Sequence, residues 1–230
     1  MVQWLFGKCV LLYGKAGYGK TTFLVKLAKR IYEATGKKAR LYLMDTNTLE
    51  TDFSREIRDY LGNSADVLFI SYPRSITRWL SYSVPWQNYS MVVVDSISGV
   101  AEELADRYEP DNPQLDKITT RYSAAILNKL ARISHRHKLL GVLVAHASDI
   151  WQGDFFGEKL APKFCTYSMK NADVVMLLDK RSEKREVIEE GKAKLVDVEV
   201  RYVKIVFVRK LLGPCPYYKK EYLVEDIVGD

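Results

Sequence analysis

The stretch Gly14-Lys15-Ala16-Gly17-Tyr18-Gly19-Lys20-Thr21 matches the phosphate-loop pattern G-x-x-x-x-G-K-[ST] at every fixed position. In such a loop the glycines let backbone N–H groups point at phosphate oxygens, and the following helix adds its positive N-terminal end. Lys20 supplies a charge for the β and γ phosphates, Thr21 presents a hydroxyl to Mg²⁺, and Thr22 is the adjacent hydroxyl for the α phosphate. The stretch therefore predicts a site for ATP and Mg²⁺.

The sequence on either side of the loop predicts the strand and the helix that this motif requires. The apolar run 9–13 before the loop is typical of a buried strand. After the loop, apolar residues repeat at three and four positions from Leu24 to Ile31, and the pattern ends at Gly36. The motif thus lies between a strand and an amphipathic helix.

Strands alternate with helices along most of the remaining chain. Apolar runs predict further strands at 39–44, 67–71, 91–94 and 139–145. One apolar face predicts a long helix over 118–136. This alternation implies an α/β fold, a mostly parallel central sheet with helices on both faces. The last apolar segments predict an antiparallel C-terminal extension, with strands at 174–178, 196–208 and 221–224.

The composition is that of one globular domain. The chain has 230 residues, 47% of them apolar and 28% charged, and a net charge of +6; this apolar fraction excludes intrinsic disorder. Because no repeat or linker divides the sequence, we expect a single domain over residues 1–230. The longest apolar run, 139–145, is too short to span a membrane, so we expect a cytoplasmic protein without a membrane partner. Scarce Asn and Gln with plentiful Lys, Glu, Arg and Val are typical of heat-adapted proteins.

A carboxylate that holds the metal is expected at the end of a buried strand in enzymes with this loop. The apolar run 91–94 is followed by Asp95. Taken alone, such an aspartate is often a turn former. Together with the phosphate loop, it predicts that Thr21 and Asp95 form the metal site and that Lys20 and Asp95 belong to the catalytic residues.

Several stretches resemble the ATPase core of the RecA/RadA recombinase superfamily, most closely the short archaeal RadA paralogues that lack the N-terminal DNA-binding domain. They are the phosphate loop with Thr22, Leu43-Met44-Asp45-Thr46, Val93-Val94-Asp95-Ser96-Ile97 and Gly141-Val142-Leu143-Val144-Ala145-His146. Their order and spacing agree along nearly the whole chain. The resemblance implies a RecA-like P-loop fold, binding of ATP and Mg²⁺, and a role in homologous recombination or DNA repair.

Two positions depart from the family pattern, and both concern hydrolysis. Where the family usually has a glutamate that activates water, this chain has Asn47, and an amide is not a general base. Glu50 is our candidate replacement and Asp52 the alternative, although both also suit the interpretation of solvated loop acids. His146 replaces a γ-phosphate-sensing residue of the family and is either its substitute or structural. The resemblance therefore implies firm ATP binding with slow, Mg²⁺-dependent hydrolysis.

Arg55 falls roughly where the family places an arginine against the adenine ring. Stacking of a guanidinium on a flat base is physically sensible. The alternative interpretation is an arginine on the solvated surface of a helix. We retain Arg55 as a candidate nucleotide contact.

Two loops of the family bind DNA, and they correspond here to 101–116 and 148–169. The first is acidic and suits DNA poorly, because acids repel phosphate. The second combines aromatic and basic side chains, which can stack bases and follow a backbone. Its candidate DNA contacts are Trp151, Phe155, Lys159, Lys163 and Lys170. Equally open is a lid whose aromatic residues fold onto the core.

Two functions follow from these observations. The first is an ATP-binding RecA/RadA paralogue that binds single-stranded DNA or the main RadA-type recombinase, with slow, DNA-stimulated hydrolysis. The second is a KaiC-like regulatory ATPase that switches a protein partner, which the acidic first loop favours. A small-molecule kinase is a weaker alternative, because the sequence has no convincing Arg-rich lid. Residues 1–8 lack the Phe-x-x-Ala signature by which family members join, so we expect a monomer or weak oligomer.

Overall fold

The computed structural model describes residues 1–44, 52–105, 113–149, 158–166, 168–189, 192–209 and 215–229. Its helices are α1 (Val2–Leu5), α2 (Lys20–Thr35), α3 (Asp52–Leu61), α4 (Ile76–Trp79), α5 (Ile97–Ala105), α6 (Pro113–His137) and α7 (Val224–Val228). Its strands are β1 (Cys9–Gly14), β2 (Lys38–Leu43), β3 (Ala65–Phe69), β4 (Tyr89–Asp95), β5 (Leu140–Asp149), β6 (Leu160–Pro162), β7 (Val174–Glu189), β8 (Lys192–Val208) and β9 (Glu221–Leu223). Short 3₁₀ turns lie at Gly62–Ser64, Pro73–Ser75, Trp86–Asn88 and Met169–Asn171.

The strands that the structure describes form one sheet in the order β3-β2-β4-β5-β1-β7-β8-β9, with β6 paired to β5 outside this path. The pairs from β3 to β7 are parallel, whereas the pairs β7 with β8 and β8 with β9 are antiparallel. Every residue of β1 and β4 is buried, as expected of parallel strands covered on both faces. The predicted α/β fold with an antiparallel C-terminal extension is confirmed.

Successive strand residues point to opposite faces of the sheet and so contribute to two separate cores. Val10 and Leu12 of β1 pack in the core that includes α2. Leu11 and Tyr13 pack in the core that includes α6. Helices α2 and α6 therefore lie on opposite faces of the same strands. Among the described helices, none is both long and apolar enough to cross a membrane.

The hairpin of β7 and β8 is longer than the sequence pattern predicted. The expected strands were 174–178 and 196–208, but β7 continues to Glu189 and β8 already begins at Lys192. Beyond Leu177 the two strands pair with each other and no longer with β1. The apolar pattern fades there because the ribbon has left the covered part of the sheet. Arg181 forms ion pairs with Glu183 and Glu221 on this ribbon.

A buried carboxylate connects three elements at the amino end of β1. Asp173 is 1% exposed and accepts a hydrogen bond from the backbone N–H of Cys9, at 2.8 Å. Its carboxylate lies 2.6 Å from Nε2 of His135 in α6 and 3.6 Å from a guanidinium nitrogen of Arg209 after β8. The backbone groups of Asp173 also bond those of Cys9 and Arg209. One side chain thus holds α6 and the C-terminal strands against β1.

Candidate functional site

The phosphate loop joins β1 to α2 at the carboxyl end of the sheet. Ala16 and Gly17 form an exposed turn at its tip, whereas Lys20 is only 6% exposed. The ammonium of Lys20 donates hydrogen bonds to the carbonyl oxygens of Gly14 and Lys15, both at 2.8 Å. The loop therefore wraps around the charge of Lys20, as a cradle for phosphate requires.

Thr21 and Asp95 meet directly, although β5 lies between the strands that lead to them. The hydroxyl of Thr21 donates a hydrogen bond to Oδ2 of Asp95 at 2.7 Å, and Asp95 is 6% exposed. Hydroxyl and carboxylate oxygens are ligands that Mg²⁺ accepts together with water and substrate phosphates. Among the described residues, no group of three or more His, Cys, Asp or Glu side chains is placed to hold a metal ion. The Thr21 and Asp95 pair fits Mg²⁺ bound chiefly by phosphate and water.

Gly14 ends β1 in a position that no side chain fits. A Cβ atom built on Gly14 would lie 2.2 Å from the carbonyl oxygen of Leu178, which belongs to the neighbouring backbone. We expect Gly14→Ala to lower the free energy of unfolding by about 1–3 kcal/mol, because β1 and β7 must separate. Chemical denaturation measures this loss. Stability equal to that of the wild type in Gly14→Ala would contradict the clash. In Gly17→Ala the new Cβ meets no atom within 4 Å, so any loss there comes from its positive φ of 74° and not from a clash.

Residues from β5 and the hairpin surround the loop, and the sequence motif did not reveal them. Arg201 of β8 lies beside Gly19, where an added Cβ would be 3.0 Å from a guanidinium nitrogen. Asp149 at the end of β5 forms an ion pair with Lys15 at 3.1 Å. The hydrogen bond from Lys15 to this carboxylate raises the pKa of the lysine. Arg201 and Asp149 follow from strand register, which the sequence pattern alone does not specify.

A second basic side chain of the hairpin reaches the loop. The ammonium of Lys180 lies 4.8 Å from the centre of the Tyr18 ring, within the range of a cation–π contact. Lys180 also forms an ion pair with Glu199 at 2.6 Å. The base of the long hairpin therefore packs against the loop.

Two cavities open beside Thr22, in the first turn of α2. One, of about 310 Å³, lies between α2, β8 and α7 and is lined by Gly19, Thr22, Phe23, Lys26, Glu199, Arg201, Val224, Glu225 and Gly229. The other, of about 210 Å³, lies between α2 and α3 and is lined by Thr22, Val25, Lys26, Phe53, Glu56, Ile57 and Tyr60. Both adjoin the position predicted for the α phosphate, so each is placed to receive the nucleoside.

Arg55 lies on α3, the helix that forms one wall of the smaller cavity. Its side chain is 82% exposed and forms an ion pair with Asp52 at 3.6 Å. Phe53 and Tyr60 of the same helix line the cavity instead. The structure thus places Arg55 near the cavity but directs aromatic rings into it, a feature that the sequence analysis did not single out.

The candidates for activating water are described only in part. Asn47 and Glu50 lie outside the described residues. The strand before them is placed, because the backbone N–H of Met44 donates to the carbonyl oxygen of Asp95 at 2.6 Å. His146 of β5 pairs in register with Gly14 of β1. Met44 and His146 therefore adjoin Asp95 and Gly14 of the phosphate site.

The structure also describes only some of the candidate DNA contacts. Trp151 and Phe155 lie outside the described residues, whereas Lys159, Lys163 and Lys170 are exposed. The ammonium of Lys163 lies 5.0 Å from the centre of the Phe164 ring. Lys170 is part of the 3₁₀ turn before β7. The segment also contains the short strand β6, antiparallel to β5, where the sequence analysis expected a loop.

Comparison with known proteins identifies the fold. No protein-family model and no curated protein matches the sequence. Among 498 matching chains of solved structures is a KaiC-like protein from the hyperthermophilic archaeon Pyrococcus horikoshii. It is 19% identical with a TM-score of 0.56, over 95% of this chain and 85% of that chain. The chain has a RecA-like α/β fold, and so widely shared a fold does not by itself select a function.

Proposed function

We propose that the chain binds ATP with Mg²⁺ through residues 14–22 and Asp95 and hydrolyses it slowly. The supporting observation is the hydrogen bond of 2.7 Å from Thr21 to Asp95 beside the buried ammonium of Lys20. A hydroxyl, a carboxylate and a cation converge there from the start of α2 and the end of β4. This is the donor set that a nucleoside triphosphate and its metal need.

Each group has a distinct task in this proposal. Lys20 binds the β and γ phosphates, and the loop N–H groups bind the remaining phosphate oxygens. Thr21 and Asp95 would hold Mg²⁺, which when bound neutralises charge that develops on the phosphate oxygens. Thr22 binds the α phosphate, from which the nucleoside extends into one of the two adjoining cavities. Phe53 and Tyr60 give the smaller cavity aromatic walls suited to a flat base.

Slow turnover is the second part of the proposal. Its basis is Asn47, which has no carboxylate to activate water. We propose Glu50 as the general base and His146 as the contact to the γ phosphate. Arg55 remains our candidate for stacking on the base from α3. Positioning and charge neutralisation by Lys20 and the metal then supply most of the rate.

Removal of the Thr21 hydroxyl tests the metal site. We expect Thr21→Ala to lose the part of ATP affinity that Mg²⁺ adds, about tenfold, because one ligand and its bond to Asp95 disappear. Binding of ATP in a chelator should stay unchanged. Calorimetry at several Mg²⁺ concentrations measures both values. Thr21→Ser keeps the hydroxyl and should restore the Mg²⁺ effect, and an Mg²⁺ effect of wild-type size in Thr21→Ala would contradict the assignment.

We propose that this ATPase acts in homologous recombination or DNA repair, as a RadA-type paralogue that binds single-stranded DNA or the main recombinase. The support is the resemblance in the loop, in Val93-Val94-Asp95-Ser96-Ile97 and in 141–146, together with exposed lysines after β5. We propose a monomer or weak oligomer. Light scattering at micromolar concentration with and without ATP tests this state.

A KaiC-like switch for a protein partner is the second candidate. It is favoured by the KaiC-like protein among the structural matches and by the acidic sequence 101–116, in which Glu103 is paired with Arg74 at 2.6 Å. Binding of a labelled single-stranded oligonucleotide with and without ATP, over a salt series, separates the two candidates. Salt-dependent binding supports the first candidate, and no binding under any nucleotide condition supports the second.

A further inference from the structure

Helix α6 contains most of the excess positive charge of the chain. Its 25 residues include five Lys or Arg and one Asp, a net charge of +4, compared with +6 for all 230 residues. The apolar residues of α6 face the sheet. Lys117, Arg121, Arg132 and Arg136 are all exposed, and their spacing places them along the outer side of the helix. We call these four residues the α6 basic face.

The described residues provide no ion-pair partner for the α6 basic face. In the described part of the chain, none of its four residues forms an ion pair, whereas exposed basic residues elsewhere often do, for example Lys38 with Asp66 at 3.0 Å. Lys117 and Arg121 are four positions apart, as are Arg132 and Arg136, and like charges at this spacing destabilise a helix. The repulsion between these charges therefore destabilises the helix, and a bound anionic partner would remove this repulsion.

The helix dipole does not explain these charges. Cations stabilise a helix only in its last turn. Arg136 lies in the last turn of α6, but Lys117 and Arg121 lie in its first half and Arg132 precedes the last turn. Three of the four charges are therefore placed where the dipole gives them no advantage.

Two exposed lysines lie on the segment after β5 that is hydrogen-bonded to α6. The hydroxyl of Ser123 in α6 donates to the carbonyl oxygen of Phe164 at 2.8 Å and lies 2.7 Å from the hydroxyl of Ser168. These bonds hold the segment that contains Lys163 and Lys170 against the helix. Both lysines are exposed. Two of the candidate DNA contacts thus lie on a segment that packs against α6.

We propose that the α6 basic face, with Lys163 and Lys170, binds the phosphate backbone of a nucleic acid. At 1.5 Å per residue, Lys117 and Arg136 are about 28 Å apart, the length of about eight nucleotides of one strand of a duplex. A row of exposed guanidinium and ammonium groups, with Asp116 as the one acid of the helix, matches such a chain of phosphates. The proposal deepens the proposed DNA-linked function, but the surface lies on the face of the sheet opposite α2 and does not depend on ATP binding.

Charge reversal of Arg121 and Arg132 tests the proposal in the full chain. The probe is a labelled single-stranded oligonucleotide of 30 nucleotides, with a duplex of the same sequence as competitor. We expect Arg121→Glu with Arg132→Glu to weaken binding at 50 mM salt at least about tenfold and to make the salt slope shallower by about 1.4, because two phosphate contacts disappear. Arg121→Gln with Arg132→Gln should lose less affinity, because it removes the two positive charges without adding negative charges that repel phosphate. ATP binding should be unchanged.

The matched control reverses two exposed charges outside α6, that of Arg30 on α2 and that of Lys37 just after α2, in Arg30→Glu with Lys37→Glu. The proposal requires that this control bind nearly as well as wild type. Equal losses of oligonucleotide affinity in both double variants would show a general effect of net charge and would overturn the proposal. Binding of wild-type strength by the α6 variant would also overturn it. Absence of oligonucleotide binding, with α6-dependent binding to vesicles containing phosphatidylserine, would overturn it in favour of a membrane surface. Failure of the ATP site would appear separately, in the Lys20 and Thr21 variants.

Discussion

Replacing Lys20 with alanine should lower the affinity for Mg²⁺-ATP at least about tenfold and abolish turnover. The ammonium of Lys20 is the charge that the loop encloses, and its present partners are the carbonyl oxygens of Gly14 and Lys15. Contacts to charged groups contribute about 1.5–3 kcal/mol each, and every 1.4 kcal/mol is tenfold in affinity. Calorimetry measures the binding, and release of phosphate measures the turnover.

A lysine outside the site provides the control for this variant. Lys37 is exposed just after α2, so Lys37→Ala should bind and hydrolyse ATP as the wild type does. Thermal unfolding shows whether the Lys20 variant keeps its fold. If folded Lys20→Ala bound ATP with unchanged affinity and rate, the loop would not be the phosphate site.

The second large effect concerns stability. We expect Asp173→Ala to lower the free energy of unfolding by about 3 kcal/mol and the Tm by about 6–12 °C. The substitution leaves the N–H of Cys9 without the carboxylate that accepts its hydrogen bond and removes the contacts of that carboxylate with the side chains of His135 and Arg209. Denaturant unfolding and calorimetry measure the two quantities.

Two companion variants make this expectation specific. Asp173→Asn keeps the shape and an acceptor oxygen, so it should lose roughly half as much stability. Asp59 is exposed on α3, and Asp59→Ala should change stability by no more than about 0.5 kcal/mol. A loss at Asp173 as small as that at Asp59 would mean that the buried carboxylate does not hold the elements together.

The parallel part of the fold was predictable because its strands are buried on both faces. Continuous apolar runs such as 91–94 have few interpretations other than a buried strand, and β4 lies there. The distal part of the hairpin was not predictable, because exposed strands alternate charges that also suit a solvated loop. Lys180 to Glu189 became a strand through pairing with residues 192–201 of β8, and the charged residues of this ribbon leave no apolar pattern that would show it.

The phosphate site was likewise predictable only in part. The loop and Asp95 were predictable because the spacing of the glycines, Lys20 and Thr21 is fixed by the chemistry of phosphate and metal. Arg201 and Asp149 were not, since they reach the loop only through strand register. The α6 basic face was missed for a further reason. Its charges are spread over twenty positions of sequence, and only the helix brings them onto one side.

The position of α2 and α6 on opposite faces of β1 has a thermodynamic consequence. A nucleotide beside α2 and a polyanion along α6 would not compete for the same atoms, so the protein can hold both at once. If ATP then changes the dissociation constant of the polyanion by some factor, the polyanion must change that of ATP by the same factor. The two binding curves, each measured with the other ligand saturating, would therefore report a single coupling free energy transmitted through the sheet.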